Sequence, residues 1–305
     1  MSEAFRTALI EALSRPDKSI SPKWFYDEQG SALFEQITEL PEYYPTRTEA
    51  ALLRQAAPEL SALIPEGAVL VEFGSGASAK TRILLDAAPQ LSAYVPIDIS
   101  VEALEAAAAR LDADYPDLTV APAPGDFTST VELPPEAKGR PLVGFFPGST
   151  IGNFTPEAAA RFLRMARAML GEGAELILGA DMVKDEATLV AAYDDAQGVT
   201  ARFNLNLLAR ANRELGADFD LDQFEHRAVW NADRRRIEMH LVSRIDQTVH
   251  VDDRTFDFAS GERLHTENSH KFTVESLEAM AREAGWTLGR SWISAPPEFG
   301  VFLLT

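Results

Sequence analysis

Short apolar runs alternate with helical patterns between residues 68 and 182. Each run ends at glycine, proline or polar residues, which is typical of a buried strand. The predicted strands are AVLVEF (68–73), AYVPIDI (93–99), LTVA (118–121), PLVGFF (141–146) and ELILGADM (175–182). Helices are predicted over 79–88, 101–111 and 156–170. Strands that alternate with helices pair in parallel through right-handed crossovers. The pattern therefore predicts an α/β fold built on a doubly wound sheet.

Two of these helices have recognisable starts. Thr155, Pro156 and Glu157 provide an N-cap, a proline at the first helical position and an acid in the first turn. Ser100 is predicted to cap the helix over 101–111. Both helices therefore begin on the side of the sheet where the preceding strands end.

The pattern changes after residue 182. Residues 185–215 are predicted to be helical, and a strand pair is predicted over 224–230 and 236–245, with a turn at 231–233. Residues 248–268 are polar and predicted to be irregular. A helix over 274–284 and two strands over 287–294 and 299–304 complete the chain. We therefore expect a doubly wound domain of residues 48–190 plus 272–305, and a second, α+β domain of residues 1–47 plus 191–271.

Charge and composition exclude several classes of function. The chain has 28 basic and 47 acidic residues, a formal net charge of −19, which disfavours binding to nucleic acid and to anionic membranes. The chain has no cysteine, so thiolate metal sites and cysteine nucleophiles are excluded. Its five histidines lack metal-site spacing, and no metal is expected. The chain has neither an apolar run of membrane-spanning length nor a secretory leader, so we expect a cytoplasmic enzyme or binding protein.

The segment VEFGSGASAKT (71–81) is the most informative local motif. A strand leads directly into Gly74-Ser75-Gly76 and then into a helix, whose first N–H groups can bind an anion. Asp98 follows at the end of the second strand, where a carboxylate can bind both ribose hydroxyls. These residues predict a site for an adenosine-type cofactor.

The identity of that cofactor stays open at this point. Gly74, Gly76 and Ala79 formally satisfy the dinucleotide fingerprint G-x-G-x-x-G/A, which suits a nicotinamide cofactor. Two features favour S-adenosylmethionine (SAM). Glu72 precedes the first glycine by two residues and can bind an ammonium group, and the two C-terminal strands suit a methyltransferase sheet.

Two further groups of residues are candidates for binding a substrate. The loop FPGSTIGNF (146–154) follows the fourth strand, and Asn153 in it can bind a carboxylate or an amine, or serve as a simple helix cap. Tyr26, Phe34, Tyr43 and Tyr44 are either core or pocket residues. Met239, Glu267 and Ser269, taken singly, are more often structural.

Four strings resemble one family over nearly the whole chain from Pro22. They are PKWFYDEQGSALFEQITELPEYYPTRTEAALL, GSGASAKT, FPGSTIGNF and LHTENSHKF. Together they are similar to the histidine-specific N-α-methyltransferases of the ergothioneine pathway. The resemblance implies a class I methyltransferase (Rossmann-like) sheet with a substrate-binding domain. It also implies that SAM trimethylates the α-amine of L-histidine to give hercynine.

The resemblance also implies roles for individual residues. Gly74 and Lys80 hold the methionine end of the cofactor, Asp98 its ribose, and Asp126 with Phe127 its adenine. The implied substrate residues are Asn153 and Tyr193 at the carboxylate, Tyr26 and Phe34 near the amine, and Tyr43, Met239, Glu267 and Ser269 around the imidazole. Asn268 and His270, which flank Ser269, are a departure that leaves the outer shell of this pocket open.

Three alternatives remain beside this interpretation. The enzyme can act on another aromatic amino acid, with Glu267 and Ser269 serving a different ring. The glycine turn can serve an NAD-dependent oxidoreductase, or the fold can belong to a binding module without catalysis. We expect a monomer whose partner is a small molecule.

Overall fold

The structure, a computed structural model, describes residues 2–75, 79–99 and 101–305. Gly76, predicted in the cofactor turn, and Ser100, the predicted helix cap, lie outside the described residues. The α-helices are α1 (Ser2–Leu13), α2 (Glu28–Thr38), α3 (Tyr44–Leu63), α4 (Ala79–Ala87), α5 (Val101–Asp114), α6 (Pro156–Leu170), α7 (Glu186–Ala191), α8 (Val199–Leu215) and α9 (Val274–Glu283). Short 3-10 helices occupy Pro22–Phe25, Pro135–Ala137, Thr150–Asn153 and Leu221–Gln223. In the part of the chain that the structure describes, no helix combines the length and apolar character needed to cross a bilayer.

The strands follow the same chain order. They are β1 (Val69–Phe73), β2 (Ala93–Asp98), β3 (Thr119–Val120), β4 (Ala123–Pro124), β5 (Leu142–Phe146), β6 (Glu175–Asp181), β7 (Phe224–Asn231), β8 (Arg236–Ser243), β9 (Gln247–Val251), β10 (Arg254–Phe258), β11 (Arg263–His270), β12 (Leu288–Ile293) and β13 (Phe299–Leu304).

The described chain divides into two compact units. The appended unit comprises Met1–Tyr44 and Lys184–Lys271, and the sheet unit comprises Pro45–Val183 and Phe272–Thr305. The sequence pattern places these limits after residues 47, 190 and 271. Within the sheet unit, Val183 N–H donates to the Phe272 carbonyl at 2.9 Å, and Phe272 N–H donates to the Asp181 carbonyl at 2.9 Å. The chain therefore leaves and re-enters the sheet unit at neighbouring points.

The main sheet of the sheet unit has the order β12-β13-β6-β5-β1-β2-β3, with β4 also paired to β2. Strands β1, β2, β5 and β6 pair in parallel, while β13 runs antiparallel to both of its neighbours, β6 and β12. The predicted doubly wound α/β fold is confirmed. The carboxyl ends of β1, β2, β4 and β5 lie along one edge, where such sheets bind ligands.

Burial explains why these strands read as apolar runs in the sequence. Every residue of β1 and β13 is buried, whereas the edge strand β12 is mostly exposed. Strands in the middle of the sheet are covered on both faces, so their apolar residues follow one another instead of alternating with polar ones. One face packs against leucines of α3 and α4, including Leu53 and Leu84, and the other packs against α6 and α9 through residues such as Phe162 and Leu277.

The appended unit has its own apolar core and two small sheets. Strands β7, β8 and β11 form an antiparallel sheet in the order β11-β8-β7, and β9 pairs with β10. The core includes Phe5 and Leu9 of α1, Phe203 of α8 and Leu241 of β8. The core of this α+β unit therefore joins residues that are distant in sequence.

The prediction of an irregular segment over 248–268 is wrong, because β9, β10 and most of β11 lie there. Val249, Val251, Phe256 and Phe258 alternate with polar residues and are the buried positions of the β9–β10 hairpin. This period of two indicates a half-buried strand. The same alternation of apolar and polar residues does not detect β11, because its buried residues include the polar side chains of Thr266, Glu267 and Ser269.

The predicted helical stretch over 185–215 is two helices, α7 and α8. The break ends at Gly198, whose φ of +67° lies in the left-handed region that glycine tolerates best. The Asp195 carboxylate accepts hydrogen bonds from the N–H groups of Val199 and Thr200, at 3.0 and 2.7 Å. These bonds satisfy donors at the start of α8. Tyr193 lies in the break between the two helices.

Candidate active site

Gly74 marks the end of β1 at the ligand-binding edge of the sheet unit. Its φ is +74°, and an added Cβ would lie 3.1 Å from the ring of Phe127. Its N–H donates to the Ile97 carbonyl of β2 at 2.8 Å. The absence of a side chain therefore leaves a backbone cradle beside the Phe127 ring, which is a suitable surface for a flat group.

Two carboxylates lie near this cradle in the fold. Asp98, at the end of β2, pairs in register with Pro124, and its carbonyl accepts from Gly125 N–H at 2.9 Å. Asp126 follows directly and its Oδ1 accepts from the Thr128 N–H at 2.9 Å and from the Thr128 hydroxyl at 2.5 Å. The structure thus brings Gly74, Asp98, Asp126 and Phe127 to one edge.

Lys80, on the first turn of α4, is held by a residue that the sequence analysis missed. Glu49 of α3 is fully buried and forms an ion pair with the Lys80 ammonium. Both Glu49 carboxylate oxygens also lie 2.9 Å from the Gly148 N–H. A Cβ on Gly179 of β6 would lie 1.9 Å from Glu49 Oε1, so a side chain there would displace the Glu49 carboxylate. Glu49 therefore connects Lys80 to the loop that follows β5.

Glu72 of β1 is buried, and its Oε2 accepts hydrogen bonds from the Thr81 hydroxyl at 2.6 Å and the Tyr94 hydroxyl at 2.5 Å. Burial raises the pKa of Glu72 to about 7, although the two hydroxyl donors and the charge of Lys80 oppose this. Glu72 therefore joins β1 to α4 and β2. Its predicted role at the cofactor ammonium stays a prediction.

The loop after β5 has a defined conformation. Ser149 has a φ of +56°, and its hydroxyl accepts from the Asp181 N–H at 2.9 Å. The 3-10 helix Thr150–Asn153 follows and ends at Asn153, which is half-buried. Thr155 is the N-cap of α6, since its hydroxyl accepts from the Ala158 N–H at 3.2 Å. The predicted cap is confirmed, and Asn153 does not take that role.

In the appended unit, four of the predicted aromatic residues form a chain of ring contacts. Ring centroids are 5.6 Å apart for Tyr26 and Phe34, 6.2 Å for Phe34 and Tyr43, and 6.1 Å for Tyr43 and Tyr193. Phe203, which the sequence analysis missed, lies 5.8 Å from Tyr26 and 6.0 Å from Phe34. The structure therefore assembles these rings into one wall, of which Tyr26 is 41% exposed.

A bulge in β11 sets the direction of the predicted ring-binding residues. His265 pairs with His240, but Glu267 pairs with the next residue of β8, Met239, so Thr266 is the extra residue. Without this bulge, His265 and Glu267 would share a face, because side chains alternate along a strand. The bulge instead places Glu267 and Ser269 on the face of Met239, and the structure brings these three together.

Lys271 extends this face and is a second residue that the sequence analysis missed. It is 2% exposed, and its ammonium donates to the Tyr193 hydroxyl at 2.9 Å and to the Ser269 hydroxyl at 3.0 Å. The two hydroxyl oxygens lie 2.7 Å apart. The signal was present in the string ENSHK, where Glu267, Ser269 and Lys271 alternate with the period of a strand.

The carboxyl group of Glu267 is buried. Burial raises the pKa of Glu267 to about 7, and the charge of Lys271 partly opposes this.

His226 holds the backbone of Tyr193. The Tyr193 carbonyl lies 2.8 Å from His226 Nε2, while Asn204 Nδ2 lies 2.8 Å from His226 Nδ1. Because the Asn204 amide donates, Nδ1 is the acceptor and the Nε2–H donates to the carbonyl. Burial lowers the pKa of His226, which agrees with this neutral form.

Comparison with known proteins decides the family. The profile described as "Histidine-specific methyltransferase, SAM-dependent" matches residues 5–305. The chain belongs to this family. It is 49% identical to the histidine N-alpha-methyltransferase of Mycolicibacterium smegmatis, covering 99% of this chain and 95% of that protein. It is 45% identical to the protein of the same name from Mycobacterium tuberculosis, covering 98% and 94%. Ergothioneine biosynthesis protein 1 of Neurospora crassa is 30% identical, covering 92% of this chain and 32% of that protein.

Membership of this histidine-specific methyltransferase family answers three open questions. The chain is an enzyme, its cofactor is SAM, and its α/β sheet is a class I methyltransferase sheet, with antiparallel β13 inserted between β6 and β12. The nicotinamide-dependent oxidoreductase and the non-catalytic binding module are therefore set aside.

The residues at the ligand-binding edge fit SAM chemically. A cofactor with an aromatic base, a ribose diol and an amino-acid end needs a flat apolar surface, a carboxylate acceptor and a cation. Gly74 with Phe127 would supply the surface, Asp98 the acceptor, and Lys80, which is paired with Glu49, the cation. The fit rests on the cradle at Gly74, which a Cβ would fill.

Proposed function

We propose that this methyltransferase transfers three methyl groups to the α-amine of free L-histidine, forming hercynine in ergothioneine biosynthesis. The observation that carries the proposal is the buried carboxyl of Glu267, which lies on one strand face with Ser269 and Met239. The names of the two mycobacterial relatives and of the Neurospora protein support the same substrate and pathway.

Glu267 suits a ligand ring that carries an N–H group. A carboxylate in this buried position accepts a hydrogen bond from an imidazole, but a phenyl or aliphatic side chain leaves it unpaired. Sites built to bind a polar group can reject an apolar analogue by roughly 10⁴-fold. Met239, beside Glu267, fills the remaining space with an adaptable side chain. Tyr43 would complete the ring pocket in this proposal.

The α-carboxylate is assigned to Asn153 and Tyr193. Asn153 can donate through its amide, and Tyr193 through its hydroxyl. Support for Tyr193 comes from its contact with the buried cation Lys271, which makes the surroundings of this hydroxyl favourable for an anion. Support for Asn153 comes from its place at the end of β5, where parallel sheets bind their ligands.

The cofactor is assigned to residues of the sheet unit: Gly74, Lys80, Asp98, Asp126 and Phe127, with Gly76 and Glu72 as further predicted members. When bound, SAM supplies an electrophilic methyl group on a sulfonium. Lys80 would pair with the carboxylate of its amino-acid end, and Asp98 would accept from both ribose hydroxyls. Phe127 would pack against the adenine.

The acceptor amine must lose its proton before each transfer, because an ammonium has no lone pair. Tyr26 is proposed near this amine, where its hydroxyl can relay the proton to water. Phe34, whose ring contacts that of Tyr26, is proposed as an apolar neighbour. An apolar wall leaves room for added methyl groups and breaks no hydrogen bond as N–H groups are replaced. Positioning the lone pair then accounts for much of the catalysis.

A panel of free amino acids tests this substrate assignment. The protein is incubated with SAM and each amino acid, and mass spectrometry detects the gain of one, two or three methyl groups. We expect three on histidine and far slower reaction with phenylalanine and leucine. The aromatic wall of Tyr26, Phe34 and Phe203 favours one second candidate, another aromatic amino acid. Preferential methylation of tyrosine or tryptophan would overturn the histidine assignment.

We also place this reaction in the cytoplasm and assign it to a monomer. Both SAM and free histidine are cytoplasmic metabolites. Light scattering at the protein concentration of the assay measures the mass in solution. A mass near 33.4 kDa supports the monomer, and twice that mass contradicts it.

A further inference from the structure

Tyr26 is the central residue of a tight turn between the 3-10 helix Pro22–Phe25 and α2. Its φ and ψ are −88° and +67°, and the Asp27 N–H donates to the Phe25 carbonyl at 3.0 Å. These angles and this hydrogen bond are those of an inverse γ-turn. The direction in which the Tyr26 side chain leaves the backbone therefore depends on how residues 25 and 27 are held.

Asp27 holds the second half of this turn. It is the N-cap of α2, since its Oδ1 accepts from the Gly30 N–H at 2.7 Å, and the same oxygen accepts from Asn206 Nδ2 of α8 at 2.8 Å. Its other carboxylate oxygen pairs with Arg213, whose side chain is 52% exposed, whereas the Asp27 side chain is only 11% exposed. Asn206 is buried. Asp27 therefore ties the turn to two helices through one oxygen atom.

The first half of the turn is anchored to the same two helices. A Cβ on Gly30 would lie 1.8 Å from the Phe25 carbonyl oxygen, so the first turn of α2 packs directly against this group. Arg210 of α8 is buried, and its Nη1 donates to the Trp24 carbonyl at 2.8 Å. The backbone on both sides of Tyr26 is therefore fixed to α2 and α8.

These helices also supply the rings that contact Tyr26. Phe34 belongs to α2 and Phe203 to α8, and their ring centroids lie 5.6 and 5.8 Å from that of Tyr26. Phe203 and Asn206 are three residues apart on α8, which makes them neighbours on the helix surface. A change at Asp27 or Asn206 therefore changes the position of the Tyr26 ring against the aromatic wall.

We propose that Asp27 is a positioning residue that holds the Tyr26 hydroxyl at the acceptor amine, with Asn206 as its buried partner. This inference rests on the proposed function, which places Tyr26 near that amine. Asp27 acts through the backbone of Tyr26 and does not contact the substrate. Methyl transfer is sensitive to displacements of about 1 Å at the reacting groups, so a loosened turn lowers kcat. The residues assigned to the ring and the carboxylate keep their places, so KM changes little.

A double-mutant cycle tests whether Asp27 acts through Tyr26. Steady-state kcat and KM are measured with SAM and L-histidine for wild type, Asp27→Ala, Tyr26→Phe and the double variant. We expect Asp27→Ala to lower kcat about tenfold or more and to leave both KM values within about threefold of wild type. In the Tyr26→Phe background, where no hydroxyl is left to position, the same change should lower kcat by at most about threefold. Equal factors in the two backgrounds, or a Tyr26→Phe protein with the kcat of wild type, overturn the proposal.

Asp27→Asn separates the geometry of the cap from its charge. Asparagine keeps an oxygen that accepts from the Gly30 N–H and the Asn206 amide, and it caps helices as well as aspartate does. Its kcat should stay within about threefold of wild type. A folded Asp27→Asn protein as slow as Asp27→Ala overturns the proposal.

Arg213→Gln is the matched control for the ion pair. It removes the exposed partner of Asp27 but leaves the cap and the Asn206 bond in place, so kcat should be unchanged. A loss equal to that of Asp27→Ala would assign the effect to the ion pair and overturn the proposal.

Thr273→Ala controls for a general loss of stability. Thr273 caps α9 of the sheet unit, where its hydroxyl accepts from the Ser276 N–H at 3.2 Å, so this variant also loses a helix cap. Its kcat should equal that of wild type, and a fall as large as that of Asp27→Ala overturns the proposal.

Asn206→Ala replaces Asp27→Ala in the cycle if the latter does not fold. It removes one donor to Asp27 Oδ1, so kcat should fall about threefold, and this fall should disappear in the Tyr26→Phe background. A fall that persists there overturns the proposal. Failure of the proposed function has a different signature, because wild-type protein then leaves histidine unmethylated. The same cycle is then measured with the amino acid that wild-type protein does methylate, and each outcome keeps its meaning.

Discussion

Changing Glu267 to Gln removes a carboxyl group that burial makes costly to ionise. Glu267 is 9% exposed, and burial raises its pKa to about 7 from an ordinary value of 4.5. The folded protein therefore holds this proton up to a higher pH than the unfolded chain does. The contribution of Glu267 to stability is fully present below pH 4.5 and is lost as the pH rises through 7. A glutamine of the same shape has no such dependence on pH.

The size of the effect follows from the two pKa values. Each unit of difference corresponds to about 1.4 kcal/mol, so ionising Glu267 in the folded state costs about 3 kcal/mol. The free energy of unfolding of Glu267→Gln, relative to wild type, should therefore rise by about 3 kcal/mol between pH 4.5 and pH 8. The same substitution should weaken histidine binding, because a neutral amide oxygen accepts a hydrogen bond less strongly than a carboxylate does.

Differential scanning calorimetry at a series of pH values measures this dependence. The melting temperatures of variant and wild type are compared at each pH, so that groups common to both proteins cancel. Glu11→Gln, at an exposed position on α1, is the matched control because its side chain stays hydrated on folding. A difference between Glu267→Gln and wild type that is the same at pH 4.5 and pH 8 would refute the reasoning.

Three further substitutions test the sheet unit by calorimetry. Glu49→Gln should lower stability by roughly 3 kcal/mol, because Lys80 loses its charged partner; an unchanged melting temperature would contradict the ion pair. Gly179→Ala should be at least as destabilising, since its Cβ would lie 1.9 Å from Glu49 Oε1, and additivity with Glu49→Gln would contradict a shared cause. Thr155→Ala should cost about 1 kcal/mol by removing the cap of α6, with unchanged affinity for S-adenosylhomocysteine. No loss of stability would show that the cap is not needed.

The sheet unit was predictable because its strands are buried on both faces. Residues 69–73 are apolar except for Glu72, and residues 299–304 are apolar apart from Gly300, so both runs are visible in the sequence. The cofactor edge was predictable for a related reason. The carboxyl ends of parallel strands meet at one edge, so the order of strands and helices along the chain already places Gly74 and Asp98 together. Asp126 follows a strand of only two residues, and its place at this edge was implied by the family resemblance instead.

The appended unit was harder to predict because its strands bury polar residues. Strand β11 buries Thr266, Glu267 and Ser269, and an alternation rule based on apolar residues does not detect it. The bulge at Thr266 cannot be read from the sequence either, although it decides that Glu267 faces Met239 and not His240.

The residues missed at the site act through contacts between distant parts of the chain. Glu49 reaches Gly148, 99 residues away, and Lys271 reaches Tyr193, 78 residues away. Both lie inside strings that carry the family resemblance, but those strings do not show which distant residues they contact. Such pairs follow from the fold, since the packing of α3 on the sheet and the direction of β11 determine which side chains meet.

The most direct test of the account locates the transferred methyl groups. The protein is incubated with L-histidine and SAM labelled with ¹³C in its methyl group, and the product is examined by NMR. The account predicts three equivalent labelled methyl groups on the α-nitrogen and an unmodified ring. Labelled methyl groups on a ring nitrogen, or unlabelled histidine beside a labelled product from another amino acid, would contradict it.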